Sequence, residues 1–232
     1  MRGAVCAILA AGASTRAGVD KVGADLGGQP VLAWSIAAAR ASGAFDRIVI
    51  VTRHDRPRGP IEAIARAAAP GTTVVAGGET RTHSTWAALA AAQDADVIAI
   101  HDSARPFAPP SLFARCVEIA RHEGSAVAGL PLADTVRRAD EAGVAVEEIS
   151  REGLWSAQTP QAFRRELLER ARVTAGDRSF SDDAAAVRAA GFPVRMILGE
   201  ARNLKITTTE DLAYARELVA KGLVGIPALE PR

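Results

Sequence analysis

Lysine is almost absent from this chain. Lys21, Lys205 and Lys221 are three of 28 basic residues, which leaves 25 arginines (28 minus 3). In so arginine-rich a sequence, a retained lysine suggests a place where a compact ammonium does what a guanidinium fork does not. Cysteine is as scarce. Cys6 falls in an apolar run and Cys116 in a helical pattern, and two isolated cysteines read as buried reduced thiols, not as a disulfide or a metal site. The four histidines, His54, His83, His101 and His122, lack zinc-ligand spacing. No apolar run reaches the roughly 18 residues that a membrane-spanning helix needs. A net charge of +1 argues against a polybasic surface for nucleic acid or membrane. From Met1 the chain enters an apolar run without a signal-peptide layout, so a cytoplasmic location is expected.

What is present is ordinary globular material, 48% hydrophobic and 24% charged over 232 residues, enough for one large α/β domain or two small ones. Apolar, strand-like runs at 4–10, 47–52, 73–76, 97–100 and 126–132 alternate with helical patterns at 30–41, 60–69, 81–92 and 110–122. Pro30, Pro60 and Pro110 stand near the first turns, where proline is well tolerated. This βαβα rhythm predicts a mostly parallel sheet with helices on both faces and right-handed crossovers. After Leu132 the pattern changes. Residues 134–150 are polar and alternating with a turn signal at Ala142-Gly143, which reads as a β-arm over 134–151. A lone hairpin is marginal in water, so the arm is expected to pack on a second subunit. The chain returns through 154–163, with helices near 164–174 and 182–190, a strand at 194–198 and a short strand at 204–206. Thr207 or Thr208 is expected to cap a last helix, with Glu210 or Asp211 completing a capping box. No repeat or linker is visible, so 1–232 is read as a single domain carrying an arm.

Five clusters carry candidate chemistry. After the first strand comes Leu9-Ala10-Ala11-Gly12-Ala13-Ser14-Thr15-Arg16, leading to Lys21. Gly12, Ala13 and Ser14 let backbone N–H groups approach a phosphate chain closely, and Arg16 and Lys21 add two cations, so the loop looks built for a nucleoside triphosphate. It has no Gly-Lys-Ser/Thr and is not a Walker A loop. As a dinucleotide fingerprint it is degenerate, and residues 30–40 lack the acidic residue that would bind a ribose, so NAD is not expected. The second cluster, 77–84, offers a glycine pair for close approach to a base or ribose, or else a plain turn with Thr82 or Ser84 capping the next helix. In the third, 101–107, Asp102 at the end of a strand suits Mg²⁺ or a ribose hydroxyl, unless Arg105 simply pairs with it. The fourth, Arg151 with 154–161, reads as a polar rim near a ligand. The fifth is Lys205 on a short apolar strand, facing either an anionic phosphate or solvent.

Together these segments resemble the 2-C-methyl-D-erythritol 4-phosphate cytidylyltransferases of the non-mevalonate isoprenoid pathway, over residues 7–218. The most specific pieces are His101-Asp102-Ser103-Ala104-Arg105-Pro106, Asp134-Thr135, Gln158-Thr159-Pro160-Gln161, and Asn203, Lys205 and Thr207 at alternate positions. The resemblance implies a Rossmann-like nucleotidyltransferase fold, a homodimer joined through the arm, and Mg²⁺-dependent joining of CTP to a sugar-alcohol phosphate with release of pyrophosphate. It implies that Ala10, Ala11, Gly12 and Ser14 cradle the CTP phosphates, and that Arg16 and Lys21 stabilise the transition state at the α-phosphate. Gly78, Glu79, Arg81 and Ser84 would surround cytosine and ribose. Asp102, as metal ligand, and Ser103 would lie beside the nucleotide. Arg105, Thr135, Lys205 and Arg151 of the partner subunit would hold the acceptor. No cysteine or serine stands with a His/Asp set, and an acceptor phosphate is already anionic, so direct in-line attack needs neither covalent intermediate nor general base.

The chain departs from the family pattern at Asp20-Lys21-Val22, where Pro-Lys-Gln is usual, and at Ser103, where alanine is usual. Residues 18–21 are similar to molybdenum-cofactor nucleotidyltransferases, and 101–103 to ribitol 5-phosphate cytidylyltransferases. Acceptors such as ribitol 5-phosphate or a molybdopterin therefore stay open, as does a non-catalytic nucleotide-binding regulator. The family is sometimes fused to a cyclodiphosphate synthase; with Arg232 as the last residue, that domain is not expected here.

Overall fold

The computed structural model describes residues 3–12, 21–55 and 58–227. In chain order the elements begin with β1 (Ala4–Ala10), β2 (Asp25–Leu26), β3 (Gln29–Pro30), α1 (Val31–Ala41), β4 (Arg47–Thr52), α2 (Arg58–Ala68), β5 (Thr73–Ala76) and α3 (Arg81–Ala91). Next come β6 (Val97–Asp102), α4 (Pro110–Glu123), β7 (Ser125–Pro131), β8 (Val136–Ala139) and β9 (Ala145–Ile149). The last are β10 (Trp155–Arg164), α5 (Arg165–Ala175), α6 (Asp183–Ala189), β11 (Met196–Leu198) and α7 (Thr209–Ala220).

Seven strands form the main sheet in the order β11-β7-β10-β6-β1-β4-β5. β1 runs parallel to both β4 and β6, β4 parallel to β5, and β7 parallel to β11; β10 is antiparallel to both of its neighbours. β1 is buried along its whole length, as a continuous apolar run in a central strand requires. Its alternate residues serve opposite faces. Val5, Ala7 and Leu9 pack with Trp86 and Leu89 of α3, Leu168 of α5 and Val187 of α6. Cys6, Ile8 and Ala10 pack with Leu32 and Ile36 of α1, Ile61 of α2 and Phe113 of α4. The expected α/β sheet with helices on both faces is what forms.

The arm forms as read. β8 and β9 pair antiparallel, with Gly143 at φ +81° in the turn, and ion pairs Arg137–Glu148 at 3.0 Å and Arg138–Glu147 at 2.8 Å cross between the strands. Val144 and Val146 are 60% and 59% exposed at its tip. Capping at α7 also forms as read: Thr208 accepts from the Asp211 N–H, and the Asp211 side chain accepts from the Thr208 N–H.

Three local readings are corrected. Thr80, not Thr82 or Ser84, caps α3 by accepting from the His83 N–H at 3.1 Å; Thr82 and Ser84 already lie in the first turn. The stretch expected at 154–163 forms a ten-residue strand, β10, shifted by one residue to Trp155–Arg164, which its run of glutamine, threonine and proline disguised. Residues 204–206 are not a strand. They cross from β11 to the end of β6, where one backbone bond, Ile206 N–H to the Ala104 carbonyl at 2.8 Å, ties them down. Among the described residues no helix is long and apolar enough to cross a membrane.

Candidate active site

In a mostly parallel sheet, ligands bind beyond the carboxyl ends of the strands. A cavity of about 350 Å³ lies there, beyond β1 and β6. Ala11, Gly12 and Lys21 contribute to its wall, as do Gly78, Glu79, Arg81, Ser84, Asp102, Ser103 and Lys205. Segments scattered over nearly the whole chain therefore meet in one place. Ala10 is buried in β1 just before the turn. Ser14 and Arg16 lie outside the described residues.

Asp102 is the electrostatic centre. Its side chain is 13% exposed, with Lys205 Nζ 2.7 Å from Oδ2 and Arg81 Nε 3.5 Å from Oδ1. Burial alone would raise its pKa, but the Lys205 and Arg81 charges outweigh that and lower it to about 2. Lys21 Nζ donates to the Thr207 carbonyl, two residues from Lys205. Both of the lysines singled out in the sequence thus reach the same wall of the cavity.

Arg81 does more than border the cavity. Its Nη2 lies 2.8 Å from Asp183 Oδ2, and Asp183, 3% exposed at the start of α6, also accepts from Thr85 Oγ1 at 2.7 Å. Burial opposes the charge on Arg81, yet Asp183 and Asp102 outweigh it and raise the pKa. Sequence reading missed Asp183. The available signal was Asp182-Asp183: the first caps α6, so the second carboxylate needs a different partner.

The glycine pair has an internal reason. A Cβ on Gly77 would stand 2.5 Å from Ser84 Oγ, and one on Gly78 would stand 2.4 Å from His83 Cβ. Close packing of this turn on α3 therefore requires the pair. The expected polar rim at 154–161 is instead a buried clamp in its later half. Gln158 Nε2 donates to the Glu200 carbonyl at 3.0 Å, and Gln158 Oε1 accepts from Asn203 Nδ2 at 3.1 Å. Gln161 Nε2 donates to Asp182 Oδ2 at 3.0 Å. Arg105 sits beside the cavity, not on its wall, with Nη1 donating to the Asn203 carbonyl at 2.7 Å. Thr135 and Arg151 stand exposed at the two ends of the arm, away from the cavity wall.

Residues 4–221 match the IspD family, 2-C-methyl-D-erythritol 4-phosphate cytidylyltransferase. The chain belongs to this family. A 2-C-methyl-D-erythritol 4-phosphate cytidylyltransferase of Rhodococcus jostii is 43% identical, with 95% of this chain and 97% of the relative covered. A bifunctional IspD/IspF enzyme of Anaeromyxobacter is 42% identical over 93% of this chain, which spans only 57% of that relative's length. Among solved structures, the 2-C-methyl-D-erythritol 4-phosphate cytidylyltransferase of Thermus thermophilus superposes with a TM-score of 0.77 at 32% identity, covering 95% of this chain and all of that one.

Within the described residues no group of three or more acidic, histidine or cysteine side chains is arranged to hold a metal. In this family member two carboxylates, Asp102 and Glu79, line the cavity together with Lys21, Arg81 and Lys205, and Asp102 is the one held between cations. That donor set fits Mg²⁺, which commonly takes one or two protein carboxylates and completes its shell with substrate phosphates and water.

His101 is fully buried beneath the site, and burial lowers its pKa from 6.5 to about 4. Its folded pKa lies below its unfolded one, so its stabilising contribution is complete above pH 6.5 and falls as pH drops toward 4. Urea denaturation between these values should show a loss on the order of 3 kcal/mol that His101→Gln removes. An equal loss in the variant would sink this assignment.

Proposed function

We propose that the protein transfers CMP from CTP to 2-C-methyl-D-erythritol 4-phosphate and releases pyrophosphate. The names of its relatives support this reading. One observation carries it: an ionised Asp102 held between Lys205 and Arg81, on the same cavity as the Gly12 turn and Lys21. The acceptor phosphate attacks the CTP α-phosphate in line and pyrophosphate leaves. Both reactants are highly charged and no proton need move, so the protein's task is orientation and neutralisation of spreading charge. Ala10, Ala11, Gly12 and Ser14 cradle the phosphates, with Arg16 and Lys21 countering the charge that develops there. Glu79 and Ser84, with the Gly78 backbone, border the nucleoside, and Arg81 fixes Asp102. Asp102 would hold Mg²⁺, which supplies further neutralisation at the phosphates when bound. Lys205 and Arg105 lie on the acceptor side.

Pyrophosphate release with CTP and Mg²⁺ tests the reading, with 2-C-methyl-D-erythritol 4-phosphate and ribitol 5-phosphate offered in parallel. Turnover with the first is expected. Turnover confined to the second reassigns the acceptor, and silence with both while CTP binds points to a nucleotide-binding regulator.

The acceptor site is completed by a homodimer. An isolated two-stranded arm with exposed valines is marginal by itself, and its ends carry Thr135 and Arg151. Each arm delivers these residues to the other copy's cavity. Lys205→Ala and Arg151→Ala should each be severely impaired. Mixed after reversible dissociation, they should recover about a quarter of wild-type activity, because half the dimers are mixed and half of their sites are intact. No recovery, or a monomer in sedimentation, rules out the shared site.

A further inference from the structure

Beneath the cavity four residues from three segments close a ring of hydrogen bonds. His101 Nε2 lies 3.1 Å from the Arg105 carbonyl, and Arg105 Nη1 donates to the Asn203 carbonyl at 2.7 Å. Asn203 Nδ2 donates to the Thr159 carbonyl at 2.8 Å, and Thr159 Oγ1 lies 3.1 Å from His101 Nδ1. Donor counting assigns the protons. A carbonyl only accepts, so Nε2 carries the hydrogen and Nδ1 of the neutral ring is left as acceptor. The Thr159 hydroxyl therefore donates to Nδ1, and its oxygen is free to accept the Asp102 N–H at 3.0 Å.

The ring spans the end of β6, the middle of β10 and the segment before Lys205. Asp102 is the neighbour of His101, Lys205 stands two residues beyond Asn203, and the two meet at 2.7 Å above it. His101, Thr159 and Asn203 are buried, and the imidazole packs edge-on against Phe113 at 4.8 Å between centroids. Hydrogen bonds between buried groups reinforce one another, and these four close on themselves although Arg105 Nε and Asn203 Oδ1 have no hydrogen-bond partner among the described residues. Among the described residues of the turn that leaves β1, neither Ala11 nor Gly12 is hydrogen-bonded to the ring.

We propose that His101 is a positioning residue: as the Nε2–H tautomer it locks the 101–105 turn to Thr159 and, through Arg105 and Asn203, to the segment that presents Lys205, so that Asp102 and Lys205 are aimed together. The kinetic part rests on the cytidylyltransferase reading; the tautomer does not.

Two measurements test it. Long-range ¹H–¹⁵N spectra of the histidine-labelled protein at pH 7 should show His101 with a bare Nδ1 and a protonated Nε2. Thr159→Val should shift the Nδ1 resonance. In pyrophosphate-release kinetics, His101→Leu should lower kcat/KM for 2-C-methyl-D-erythritol 4-phosphate by about tenfold to a hundredfold, the scale of a small misplacement of reacting groups. The KM for CTP should rise less than that for 2-C-methyl-D-erythritol 4-phosphate, since Lys205 stands on the acceptor side while the nucleotide keeps Lys21 and the Gly12 turn. His101→Asn, whose side-chain oxygen can accept from Thr159, should recover part of the loss. If His101→Leu does not fold, Thr159→Val with Thr159→Ser as its rescue makes the same comparison. A protonated Nδ1, wild-type kinetics in the folded variants, or equal losses for both substrates would overturn the proposal. Absence of turnover by the wild-type protein would defeat the functional reading instead and leave the spectra to decide on the ring.

Discussion

Lys21→Ala is expected to lower kcat by about 10²–10³ while KM for either substrate changes little, by analogy with loss of one preorganised donor at a developing oxyanion. The chain has three lysines, and this one stands on the cavity wall with its ammonium donating to the Thr207 carbonyl. That anchor orients the cation before substrate arrives. Its attraction then grows as negative charge accumulates on the α-phosphate and the departing pyrophosphate, so the effect belongs to the transition state more than to binding. Lys21→Arg should not restore the rate, because a planar fork places its charge differently from a compact ammonium. A variant with raised KM and intact kcat would mean that Lys21 only binds the nucleotide.

Arg81→Met should cost about 3–5 kcal/mol in stability, the scale for breaking a buried ion pair and leaving the other charge uncompensated. Asp183 is 3% exposed and loses its cationic partner, while Asp102 keeps Lys205. The double variant Arg81→Met/Asp183→Asn should recover much of the loss, since asparagine still accepts from Thr85 without a charge to strand. Denaturant midpoints of the single and double variants give the coupling directly. If Arg81→Met lies within about 1 kcal/mol of wild type, the pair behaves like an exposed one and Arg81 serves the ligand, not the frame.

Much of this molecule was legible beforehand because the relevant physics is local. The apolar runs at 4–10, 47–52 and 73–76 coincide with β1, β4 and β5, and the helical periods with α1 to α4 to within two residues. Side-chain period and capping are set by neighbours up to four positions away, which any sequence displays. The arm was readable for the same reason, as alternation broken by Ala142-Gly143. The five candidate clusters were visible as residue types suited to phosphate and sugar, and their likeness to one family is carried by short runs such as 101–106.

What tertiary structure alone decided is which polar groups meet. β10 enters the sheet reversed between β6 and β7, which lays 158–161 beside 101–102 and turns an apparent rim into a buried clamp. The same insertion leaves Asn203 under Arg105 and Thr159, and so delivers Lys205 to Asp102. Arg81 finds Asp183 about a hundred residues away because α3 and α6 pack on the same face of the sheet. These partnerships depend on strand order and crossing, quantities that no local pattern encodes. Burial then removes water as the alternative partner and makes each of them obligatory.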